Sequence, residues 1–174
     1  MKKFRRLAAL LLAGVLALAV LSGCGGSRFE REMEETALKY ANAAIRDTLG
    51  EGAREFKNDP ELRQKAYEML GRIDPESGLI DMEKARMLIQ ESLGNKYDST
   101  YIYIFVDKGG YGRDKRLAKE ITPDELPWIK QALDKDLTGP AAEDMTAFGA
   151  AARTIGGKTY MAIGATYEPK TIIS

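Results

Sequence analysis

The 174-residue chain predicts an α+β fold in which N-terminal helices pack on an antiparallel sheet. Three observations carry this. Between residues 27 and 94, apolar residues recur at three- and four-residue spacing, the helical period. The run Tyr101-Ile102-Tyr103-Ile104-Phe105-Val106-Asp107 has the aromatic and β-branched composition of a strand. Further on, two apolar runs flank Gly156-Gly157, the signal of a two-residue hairpin. Helices first and strands after, with one short helix between, is not the alternation of a parallel βαβ fold.

The N-terminus is set apart from that domain. Met1-Lys2-Lys3-Phe4-Arg5-Arg6 is cationic, and Leu7 to Leu21 is almost wholly Leu, Ala and Val. A charged segment, a short apolar stretch and small residues before a cleavage point read as a secretory signal, too short for a typical membrane span. Leu21-Ser22-Gly23-Cys24 resembles the bacterial lipobox, which implies that the Cys24 thiol carries a diacylglyceryl group and becomes the new N-terminus. Cys24 is the sole cysteine and the chain has no histidine, so an internal disulfide and a Cys–His site are both excluded. The expected organisation is a signal peptide over 1–23, an anchor and tether over 24–26, and a single domain over 27–174. The expected location is the extracytoplasmic face of the cell envelope, on the plasma or the outer membrane.

Cleavage also changes the charge. Of 26 Lys+Arg, four lie in residues 1–23, leaving 22 against 26 Asp+Glu. That mildly acidic balance argues against a nucleic-acid partner, which would need clustered positive charge. About 150 residues suffice for one core.

Ser27 and Glu30 form a capping box at the start of the first helix. Phe29, Met33, Thr36, Ala37, Tyr40, Ala41, Ala44, Ile45 and Leu49 give it an apolar stripe, and Gly50 and Gly52 end it. Asp59-Pro60 caps a second helix with Leu62, Ala66, Met69 and Leu70 on its face, closed by Gly71. Asp74-Pro75-Glu76-Ser77-Gly78 is a turn. Asp81 opens a third helix with Met82, Ala85, Leu88, Ile89 and Leu93, closed by Gly94. The methionines beyond the signal fall mainly on these stripes, which assigns them to core rather than to a soft-metal site.

The strand over 101–107 is expected to reverse at Lys108-Gly109-Gly110. Thr122-Pro123-Asp124-Glu125 is a second capping box, leading into a short helix over 126–133. Alternation along the first strand puts Ile102, Ile104 and Val106 on one side and Tyr101, Tyr103 and Phe105 on the other. On the last strand Thr159, Met161, Ile163 and Ala165 oppose Tyr160, Ala162 and Gly164. The aliphatic sets are expected to meet the helices together. The other face combines tyrosines with small residues, and describes either a small-molecule pocket or a partly solvated sheet surface.

The order of a membrane-proximal helix, an aromatic strand into Asp107-Lys108-Gly109-Gly110, Trp128 with Ala132, and a closing Gly157-Lys158 to Tyr167 strand resembles the Cache family of extracytoplasmic sensor domains. The resemblance implies a PAS-like sheet and small-metabolite binding. It would gather Tyr101, Tyr103, Tyr111, Arg113, Trp128, Arg153, Tyr160, Ala162 and Gly164 around a ligand. Amino-acid-binding members carry an Arg and a Tyr where this chain has Leu126 and Ile129, neither of which can hold a carboxylate. An apolar, aromatic or simple carboxylate ligand is expected instead.

Catalysis is not expected. Without histidine there is no Ser–His–Asp triad, and no Ser-x-x-Lys or phosphate-binding glycine loop occurs beyond the signal. Asp134-Lys135-Asp136 begins like a calcium loop, but Pro140 and Met145 fall where liganding positions seven and twelve belong. No cofactor or metal is expected. Two functions follow from the sequence: a lipid-anchored small-molecule-binding sensor without its own signalling module, or a structural or adaptor envelope lipoprotein that contacts a partner protein and binds no metabolite.

Overall fold

The computed structural model describes residues 26–94, 99–110, 114–125, 127, 130–131 and 140–168. Helix and antiparallel sheet are both present, with one short strand, Leu79–Asp81, set among the N-terminal helices. Helix α1 (Arg28–Leu49) starts at a complete capping box: Glu30 N–H donates to Ser27 Oγ at 3.2 Å, and Ser27 N–H donates to the Glu30 carboxylate at 2.7 Å. It ends where the Gly50 N–H reaches Arg46 O at φ 92°. Helix α2 (Pro60–Leu70) is capped by Asp59, whose carboxylate accepts from Leu62 N–H. Asp74 ties the following turn by accepting from the Ser77 N–H and Oγ–H, each at 2.7 Å. Strand β1 (Leu79–Asp81) leads into helix α3 (Met82–Leu93), capped by Asp81.

The later chain forms β2 (Thr100–Ile104), β3 (Val106–Gly110), β4 (Lys115–Ala118), a 3-10 turn (Pro123–Glu125), the short helix α4 (Pro140–Asp144), β5 (Met145–Ile155) and β6 (Lys158–Tyr167). Among the described residues these strands form two three-stranded antiparallel sheets, ordered β2–β6–β5 and β1–β4–β3. The β5–β6 hairpin turns at Gly156 and Gly157, with φ 57° and 79°. Positive φ at both central residues twists the turn with its strands, and glycine reaches it without steric cost.

Three expectations need correction. The strand over 101–107 is two strands in two sheets, broken at Phe105. That residue donates its N–H to Met161 O at 3.3 Å, while its carbonyl accepts from Lys119 N–H at 2.9 Å, so the chain leaves one sheet and enters the other there. Residues 108–110 continue β3 instead of reversing. Strands β1 and β4 were not foreseen, being three and four residues long. After the 3-10 turn, held by Thr122 N–H on the Glu125 carboxylate, Pro127, Lys130 and Gln131 are helical.

The third correction concerns the faces. The register pairs Ile102 with Gly164 and Ile104 with Ala162, and Tyr101 with Ala165 and Tyr103 with Ile163. Directly paired residues share a face. Hence the aliphatic side of β2 lies with the small side of β6, opposite to expectation. Alternation within each strand is as read; the offset between the strands is a tertiary quantity.

Helix α1 covers the face carrying Met161, Ile163, Phe148, Ala150 and Ala152, through Met33, Ala37, Ala41 and Ile45. Helices α2 and α3 cover the other, where Ala66, Met69, Leu70 and Ile89 meet Ile104, Ala151, Tyr160 and Ala162. Glycine and alanine let α2 approach closely. A Cβ on Gly164 would stand 3.3 Å from Leu62 Cβ. The space expected above these small residues is filled by α2.

Candidate functional site

Of the predicted site residues, Cys24, Tyr111, Arg113 and Trp128 lie outside the described residues, as do positions 134–139 of the calcium-loop-like segment. Tyr160 and Ala162 are buried beneath α2 with Gly164. Burial pushes the Tyr160 phenol above its ordinary value, with Glu120 adding to the shift. Arg153 shares their face, paired with Tyr160, but its guanidinium is engaged: it lies 4.6 Å from the Tyr67 ring centroid and donates to Tyr67 O. Tyr101 and Tyr103 sit on the opposite face, 54% and 53% exposed, and Tyr101 meets Tyr167 edge-on at 5.6 Å. The structure therefore does not bring Tyr103 and Tyr160 together around one space.

The two edges of the β2–β6–β5 sheet differ more tellingly. Edge strand β5 is bonded at each outward-facing residue from Phe148 to Thr154. Phe148 O accepts from Asp59 N–H at 2.9 Å. Asn58 makes a two-way bond to Ala150, donating to its O at 3.0 Å and accepting from its N–H at 2.8 Å. Ala152 N–H donates to Glu34 at 3.1 Å and Thr154 N–H to Glu30 at 2.6 Å. These are alternate residues, the set whose backbone groups point away from β6. Glu34 is buried and held by Arg63 Nε and Nη2, at 2.7 and 3.0 Å, and this pairing raises the Arg63 pKa above its ordinary value.

Among the described residues, edge strand β2 has no such cover. Because Phe105 N–H points to β6, so do the odd positions of β2, and Thr100, Ile102 and Ile104 present their backbone groups outward. Among the described residues none of these groups has a partner. Beside this edge runs a groove of about 510 Å³, walled on one side by β2 and Val106 and on the other by Met69, Met82, Arg86 and Ile89. Met82, Arg86 and Ile89 stand at i, i+4 and i+7, one stripe of α3. Arg86 is exposed, and no carboxylate among the described residues pairs with it. Sequence reasoning took this stripe as core and passed over Arg86; a cation at the i+4 position between Met82 and Ile89 was the available signal.

Among the described residues the groove thus offers an unpaired backbone ladder, an apolar wall and one cation without a carboxylate partner. Among the described residues no cluster of three metal-ligating side chains occurs, and no helix is long and apolar enough to cross a membrane. Comparison with models of known families, with curated proteins and with solved structures gives no match.

Proposed function

We propose that the protein is a lipid-anchored extracytoplasmic module, built on a Cache-like domain, that works by engaging a partner polypeptide. Of the two functions the sequence left open, this is the adaptor reading. The helix-first order and the closing hairpin support the Cache-like part, and the lipobox at Cys24 supports the anchor. The face that would enclose a metabolite is filled by α2, which weighs against the sensor reading.

One observation carries the proposal: a single sheet has one edge bonded by four side-chain and backbone partners and the other, among the described residues, left open beside an apolar groove. Unpaired sheet edges invite strand pairing, and folded proteins ordinarily blunt them. An edge left open where its counterpart is bonded at successive outward residues is a surface kept for pairing. The short tether, Gly25-Gly26, would hold that surface near the bilayer, within reach of another envelope protein.

A photo-crosslinking residue in place of Tyr103, in intact cells, tests the reading. One discrete polypeptide adduct is expected there, and none from the same residue at Lys39 on α1. Equal labelling at both positions, or none at Tyr103, overturns it.

A further inference from the structure

We infer that the groove between β2 and α3 takes an extended polypeptide strand that pairs with Thr100, Ile102 and Ile104 and places a carboxylate on Arg86. The inference rests on the partner-binding reading and specifies its chemistry. Three features of the site each constrain the occupant.

The backbone comes first. The outward N–H and C=O groups of alternate β2 residues form a repeating donor–acceptor row. An extended chain presents the matching row, and main-chain pairing to a sheet edge supplies affinity without a particular sequence. A helix cannot complete this row, since its own backbone groups are used internally.

Side-chain chemistry comes second. Alternate residues of an added strand point to the same side. Those on the α3 side meet Met82, Ile89 and Met69, and methionine walls accommodate apolar groups of differing shape. Those on the other side stand by Tyr101 and Tyr103, which are already half exposed. The groove therefore selects apolar side chains at alternate positions.

Charge comes third. Among the described residues Arg86 is the groove's one ionised side chain and pairs with no carboxylate. A guanidinium forks two parallel bonds to a carboxylate, so an Asp or Glu flanked by apolar residues completes the site. A lysine in that place would set like charges together beside an apolar wall.

Terminally blocked, fluorescein-labelled heptapeptides titrated into the full chain in detergent micelles test this. The first alternates Val or Ile with Thr around a central Glu; the second has Lys in place of that Glu; the third keeps Glu but is N-methylated at alternate residues, so it cannot donate along one edge. The Glu peptide is expected to bind at least tenfold tighter than either of the others, and to slow hydrogen exchange at the Thr100, Ile102 and Ile104 amides. Arg86→Glu is expected to reverse the preference, so that the Lys peptide becomes the tighter ligand. Equal affinity of the Glu and Lys peptides, undiminished binding after N-methylation, or no binding of the Glu peptide at millimolar concentration overturns the inference. Failure here with a surviving Tyr103 adduct discards the acidic strand alone; loss of both discards the partner-binding reading as well.

Discussion

Leu62 sits directly over Gly149: a Cβ built on that glycine would lie 2.6 Å from Leu62 Cβ and 2.8 Å from the Arg63 backbone nitrogen. The first turn of α2 rests on bare backbone of β5. Neither obstructing atom is the far end of a flexible side chain, so a methyl group requires the helix to move.

Gly149→Ala should therefore cost about 1–3 kcal/mol, the range for overpacking a filled core. Gly164→Ala should cost less, because its nearest neighbour stands at 3.3 Å, and Gly164→Leu considerably more. Chemical denaturation of the three variants checks the order. A mild Gly164→Leu would mean that the space above β6 is open after all, and would restore the enclosed pocket.

These glycines show where sequence reading stops. Caps at Ser27, Asp59 and Asp81 were legible because each is satisfied within three residues of itself. The second oxygen of Glu30 was not, since it reaches Thr154 across a separation of 124 residues. Small residues on β6 announced a close approach, but alternation cannot say whether a helix or a ligand makes it. Strand alternation was legible; the register that decides which faces share a side was not, and a shift of one residue exchanges every contact. Arg86 went unnoticed because a helical stripe read for apolar positions steps over a charge set within it.

Ile104 and Tyr103 are neighbours on opposite faces, 6% and 53% exposed. Ile104→Asp would bury an unpaired carboxylate among Ile89, Leu93 and Tyr160, and should cost more than about 4 kcal/mol, enough to prevent folding in a marginal domain. Tyr103→Ser removes only a cross-strand contact with Ile163, and should cost about 1 kcal/mol or less. Comparable losses in urea titration would contradict the face assignment.

Lys119 bonds Glu125 at 2.6 Å, and this bond chiefly holds the carboxyl below its ordinary value. A depressed native pKa adds stability above the unfolded value, about 4.3 for Glu, and that stability is lost as pH falls through the lowered native value. Glu125→Gln should thus be slightly less stable than the parent near neutrality, by under about 1 kcal/mol given that both side chains are partly exposed. The difference should vanish on acidification below the native pKa. Denaturant midpoints measured from neutrality down to strong acid follow it, and a gap that widens in acid would contradict the sign.

Cys24→Ser removes the thiol that the lipobox reading acylates. Each buried methylene contributes about 0.8 kcal/mol to membrane binding, so two or three acyl chains make the difference between stable anchoring and release. The variant should move from the membrane pellet to the soluble fraction after a carbonate wash. Metabolic labelling with a palmitate analogue should lose its signal in parallel. Retention in the pellet with labelling intact would remove the anchor from the proposal.

The sealed edge of β5 makes the sharpest demand on the structure. Glu34 serves two ends at once, neutralising Arg63 and occupying Ala152 N–H. Glu34→Gln keeps an acceptor for the strand but loses the charge facing Arg63, and should cost about 1.5–3 kcal/mol, as for a hydrogen bond to a charged group. Glu34→Ala leaves both partners without their bond and should cost more, although water reaches Arg63, whose side chain is 28% exposed. Beyond stability, alanine at Glu30, Glu34 and Asn58 together uncovers the outward backbone groups of Ala150, Ala152 and Thr154. A bared edge pairs with its like. The triple variant should therefore self-associate at micromolar concentrations where the parent does not, as read by sedimentation velocity, while Arg86→Glu leaves the association state unchanged. If the triple variant stays folded by circular dichroism and sediments as the parent does, these side chains serve packing alone, and the contrast between the two edges no longer supports a role for β2.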